Sequence, residues 1–132
     1  MDARYVFRVR VRLEPGREVV SLEPSSAETT VTLFREAPKP GTEGWLFFRN
    51  TLWRGEVSDQ RHARRLAADW LSLPERSIEA VDFRELQTDD EHFDALKAAI
   101  ATDLEVFNAD TVSEVLSKYL GSSIRVTDAE DG

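Results

Sequence analysis

The sequence predicts an α+β domain, an antiparallel sheet of four to six strands with about three helices packed mainly on one face. Three observations lead there. The first half alternates apolar and polar residues with period two, the second half repeats apolar residues at helical spacing, and short turns separate the strand segments. The whole chain is 132 residues long, with 41% hydrophobic residues and no cysteine. That length supports one core without covalent staples, and the expected organisation is one α+β domain over residues 1–127 with an acidic tail at 128–132.

Tyr5, Phe7, Val9, Val11 and Leu13 face one way and Arg8, Arg10 and Arg12 the other, which is the pattern of a half-buried strand. Pro15-Gly16 predicts a turn, Val19 to Leu22 a short strand, and Glu23-Pro24-Ser25-Ser26 a break. Thr29 to Phe34 alternates again, Pro38-Lys39-Pro40-Gly41 reads as a loop, and Trp45 to Phe48 as an extended apolar run. Ser58 is the expected N-cap of a helix carrying Ala63, Leu66, Ala67, Trp70 and Leu71, stopped by Pro74.

Ile78 to Leu86 is a strand candidate. Thr88-Asp89-Asp90-Glu91 matches a capping box ahead of a helical stripe formed by Phe93, Leu96, Ile100, Leu104 and Phe107. A third helix is expected from Thr111 to Leu120, with Val112, Val115, Leu116 and Tyr119 inward and Gly121 at C′. Ile124 to Val126 would add an edge strand, and Asp128 to Gly132 a frayed tail.

Composition narrows the function classes. The absence of cysteine excludes disulfides, thiolate metal sites and cysteine nucleophiles. No apolar leader opens the chain and no apolar run approaches the roughly 20 residues of a membrane span, so a cytoplasmic protein without a membrane partner is expected. The net charge is −8, and the basic residues are fourteen arginines and only three lysines. Carboxylates that hold water keep molecules apart when salt shortens the Debye length to about 3 Å at 1 M, so this balance points to salt adaptation. Residues 1–65 carry 12 basic and 9 acidic side chains and residues 66–132 carry 5 and 16, which suggests pairing between the halves.

The string Trp45-Leu46-Phe47-Phe48-Arg49-Asn50-Thr51-Leu52-Trp53-Arg54-Gly55-Glu56 resembles the LWR-salt proteins of halophilic archaea. So do the opening Tyr5-Val6-Phe7-Arg8-Val9-Arg10, the segment Asp82-Phe83-Arg84-Glu85-Leu86, and the stretch from Ser113 to Ile124. The resemblance strengthens the expectation of a salt-rich archaeal cytoplasm. It brings no activity, cofactor or functional residue with it.

Candidate sites compete with plainer roles. The stripe Arg8, Arg10 and Arg12 could bind RNA as a basic sheet face, or be a solvated face paired with neighbouring glutamates. Arg49, Trp53 and Arg54 precede a helix carrying Arg61, Arg64 and Arg65 on one face. Arg49, Trp53, Arg54, Arg61 and Arg65 form the candidate binding surface, with Trp53 as a stacking anchor and the arginines reading an anion or an acidic partner. The alternative makes Trp53 a core or rim aromatic and pairs the arginines internally, Arg65 with Asp69 for example. Four phosphate contacts would lose about 5 kcal/mol through a tenfold rise in salt, so nucleic-acid recognition would depend on the indole.

His62 and His92 lie thirty residues apart without ligand spacing, and no hydrolase elbow surrounds Ser58. Asp89, Asp90 and Glu91 suit a helix first turn, and Gly121-Ser122-Ser123 a helix end. No catalytic residue, metal site or cofactor is assigned. The expected role is a non-enzymatic binding or protein-interaction domain, self-association included. An RNA- or nucleotide-binding module is the alternative, and an enzyme of undetected type the third.

Overall fold

The computed structural model describes residues 2–13 and 27–127. The expected turn at Pro15-Gly16, the strand Val19 to Leu22, the break after it and the tail from Asp128 lie outside them. Strands β1 (Ala3–Leu13), β2 (Ala27–Glu36), β5 (Ile78–Asp89) and β6 (Ile124–Thr127) form one sheet in the order β2-β1-β5-β6. Strands β3 (Leu52–Trp53) and β4 (Glu56–Val57) form a separate small hairpin. The helices are α1 (Phe47–Thr51), α2 (Gln60–Leu71), α3 (Asp90–Thr102) and α4 (Val112–Tyr119). This is an α+β fold, and no helix among the described residues is long and apolar enough to cross a membrane.

The main sheet is mixed, not antiparallel. β1 pairs antiparallel with both β2 and β5, but β6 runs parallel to β5. The chain returns through α3 and α4 before β6, and such a crossover delivers a parallel strand where a tight turn cannot. β6 is the expected edge strand, in an orientation that local patterning does not encode.

Tyr5, Phe7, Val9 and Val11 of β1 face the core with Ile78, Val81, Phe83 and Leu86 of β5. The spacing in β5 breaks period two because the β1–β5 register shifts twice, between Val6 and Phe7 and between Arg10 and Val11. Each bulge adds a residue to β5, so apolar side chains three positions apart reach the same face. Ala63, Ala67 and Ala68 of α2, Leu96 and Ile100 of α3, and Val115, Tyr119 and Leu120 at α4 close over that face. The Gln60 side chain completes the arrangement by donating to Val81 O at 2.6 Å and accepting from Val81 N at 3.1 Å.

Four local expectations are corrected. Trp45 and Leu46 form a turn and Phe47 and Phe48 open α1, because the segment must fold back to bury Phe48 beside Phe107, whose rings stack at 5.7 Å. The cap of α2 is Asp59, whose carboxylate accepts from His62 N, while Ser58 Oγ donates to Thr51 O. The cap of α3 is Asp89, accepting from His92 N at 2.7 Å, while Thr88 is the buried penultimate residue of β5. α3 ends at Thr102, and Leu104 and Phe107 belong to a separate 3-10 turn.

Candidate functional site

The triplet Leu52-Trp53-Arg54 lies in the hairpin between β3 and β4. Arg54 and Gly55 are its two central residues and both have positive φ, 53° and 81°. A two-residue turn with both residues left-handed is the type I′ geometry that matches strand twist. Glycine accepts it freely, whereas arginine is strained there.

The end of α4 holds this turn. Arg54 N donates to Lys118 O at 2.8 Å and Gly55 N to Tyr119 O at 3.0 Å, so the hairpin tip satisfies carbonyls that the helix leaves open. Contact is close on both sides. A Cβ on Gly55 would meet Leu120 O at 3.0 Å, and one on Gly121 would meet Arg54 O at 3.0 Å.

Leu52 is therefore buried in the core, and Trp53, one residue on, projects outward with 44% of its surface exposed. Its indole rests edge-to-face on Tyr119 at 5.9 Å. Behind Tyr119 stand Phe107, Phe48 and Trp45, a connected aromatic wedge. The Arg54 guanidinium lies 5.7 Å and the Lys118 ammonium 5.8 Å from the indole centre. An open cleft of about 790 Å³ beside the indole is lined by Trp53, Arg54, Thr111, Ser113, Glu114, Ser117 and Lys118.

Most of this lining is held in place. Thr111 caps α4 by accepting from Glu114 N, and Glu114 in turn accepts from Asp110 N at 3.0 Å. Lys118 Nζ donates to Phe107 O at 3.0 Å and Asn108 O at 3.2 Å. Arg49 Nε donates to Val106 O at 2.8 Å, at the 3-10 turn that carries Phe107. Arg54 makes no ion pair or side-chain hydrogen bond among the described residues.

The five candidate residues thus separate. Trp53 and Arg54 share the cleft, and Arg49 lies close by through Val106, next to Phe107. Arg61 and Arg65 sit on α2, outside the cleft lining, and Arg65 borders a different groove with Asp69. Arg65 and Asp69 do not form the expected ion pair. Sequence reasoning missed Lys118, Ser113 and Ser117. The last two lie four apart on one face of α4, and a spacing that generic carried no signal by itself.

The arginine stripe of β1 resolves differently. On the sheet face opposite the helices, Arg4, Arg8 and Arg12 lie across from Glu36, Asp82 and Glu28, and Arg125 pairs with Glu85 at 3.3 Å. Glu79, one of the two extra residues of β5, also pairs with Arg12. Glu28 and Glu79 share a hydrogen bond, which lowers the Glu28 pKa and raises that of Glu79. Acids and bases interleave, so no continuous basic stripe forms, and α2 lies on the other side of the sheet.

The histidines play structural parts. His62 is exposed in the first turn of α2. His92 is buried, and burial pushes its pKa below 6.5 against the opposing pull of Asp89. Among the described residues no group of three or more His, Asp or Glu is placed to hold a metal ion.

The molecule is an α+β protein that presents a half-exposed tryptophan, flanked by cations, on a hairpin seated on a helix end. It belongs to the LWR-salt protein family, whose model matches residues 1–130. No curated protein and no solved structure matches the chain.

Proposed function

We propose that this chain is a non-enzymatic binding or protein-interaction domain of a salt-adapted cytoplasmic protein, with Trp53 as the anchor of its binding surface. The observation that carries the reading is the half-exposed indole, fixed on Tyr119 beside Arg54, which forms no ion pair among the described residues. Tryptophan and arginine are among the residue types enriched where binding energy concentrates. A net charge of −8, with arginine far outnumbering lysine, supports the salt-adapted part. RNA binding has weaker support, because carboxylates interrupt the arginines of the open sheet face.

The test is affinity capture from a native lysate at about 2 M KCl, where screening removes loose charge contacts. Wild-type and Trp53→Ala baits are compared. A species retained by the wild type and lost with the variant is the expected result. Equal retention by both baits, or none by either, refutes the reading.

A further inference from the structure

We propose that the Trp53 cleft takes a sugar ring bearing one carboxylate, a pyranose uronate. The proposal rests on the binding reading above and specifies its ligand chemistry. The space of about 790 Å³ lies within the ~300–1,000 Å³ typical of small-molecule sites.

The lining selects among ligand classes. Ser113 and Ser117 present hydroxyls that make no hydrogen bond to other described residues, and each can both donate and accept. The Glu114 oxygen not facing Asp110 N is a further acceptor. Such a set suits a ligand with several hydroxyl groups. The indole supplies the complementary surface, since the weakly positive C–H face of a pyranose meets the negative face of an aromatic ring. Tyr119 holds the indole from below, so little freedom is lost when a ring settles on it.

Charge then limits the ligand to one anionic group. Lys118 keeps its charge while donating to two backbone carbonyls, and the Glu114 carboxylate offsets one of the two cations, so the lining carries a single net positive charge; Arg54 forms no ion pair among the described residues. One guanidinium matches one carboxylate through two parallel hydrogen bonds. A phosphodiester chain would need several cations and would meet the Glu114 carboxylate in the wall.

The experiment is fluorescence and calorimetric titration of the whole chain with sodium glucuronate, glucose and adenosine monophosphate, at low salt and about 2 M KCl. Wild type should bind glucuronate more tightly than glucose and adenosine monophosphate at both salt levels. Trp53→Ala should weaken glucuronate at least about tenfold, while Trp53→Phe keeps most of the binding. Arg54→Asn, which tolerates the turn's backbone, should erase the preference for glucuronate over glucose. Arg61→Glu on α2 should change nothing. Tighter binding of adenosine monophosphate, no saturable response to either sugar, or unchanged affinity in the Trp53→Ala and Arg54→Asn variants overturns the proposal. If sugars fail while Trp53-dependent capture persists, the ligand class falls and the binding reading stands.

Discussion

Gly121→Ala tests whether the hairpin and the end of α4 are one interlocked unit. Gly121 has a φ of +62°, and the new Cβ would stand 3.0 Å from Arg54 O, 3.1 Å from Arg54 C and 3.3 Å from Gly55 N. All three are backbone atoms, so no side chain can swing aside. The left-handed conformation costs alanine about 1–2 kcal/mol. Moving the hairpin away also weakens the bonds from Arg54 N to Lys118 O and from Gly55 N to Tyr119 O, at about 0.5–1.5 kcal/mol each. The expected loss is about 2–4 kcal/mol, or roughly 8–16 °C in Tm for a chain of this size. Gly55→Ala should cost a similar amount, since its Cβ would meet Leu120 O. The double variant should lose less than the two together, by about 1 kcal/mol, because the same two hydrogen bonds can be broken only once. Urea unfolding followed by circular dichroism measures all three. A Gly121→Ala variant within about 0.5 kcal/mol of wild type, or fully additive losses, would refute the interlock.

Three further outcomes are expected. Trp53→Ala should cost about 1 kcal/mol, against about 3–5 kcal/mol for Phe107→Ala, because the indole is half in water and the phenyl ring fully buried; chemical denaturation compares them. Thr111→Ala removes the hydroxyl that accepts from Glu114 N and should cost about 1 kcal/mol, with fraying of α4 visible in amide exchange. Folding holds both His92 and Asp89 below their ordinary values of 6.5 and 3.8, the first by burial and the second through the His92 N–H. The folded state therefore binds fewer protons than the unfolded one, and both contributions are present at neutral pH. Stability should fall as pH drops through the lowered His92 value and again through that of Asp89, and His92→Gln should flatten the first step. A urea midpoint that rises on acidification from about pH 7 to 5 would contradict this.

Local chemistry made much of the architecture legible. Alternation gave β1, helical spacing gave α2, α3 and α4, and Gly121 past the helix end follows from the conformation glycine favours, whereas Thr111, expected as the first residue of α4, is its cap. Trp53 and Arg54 were legible as a pair for the same reason, an aromatic beside a cation in an otherwise acidic chain. The hairpin that presents them was hidden because arginine is a poor left-handed residue, though Gly55 at the second turn position was a usable signal.

What the sequence determined by itself was the existence of β1, β2, β5, β6 and the helices α2 to α4, since hydrophobic period is encoded within a few neighbouring residues. Tertiary structure alone decided that β6 runs parallel to β5, that carboxylates from β2 and β5 interleave with the arginines of β1, and that Lys118, Ser113 and Ser117 meet Trp53. Each of these joins positions distant along the chain, and only closure of one shared core fixes which distant neighbours meet.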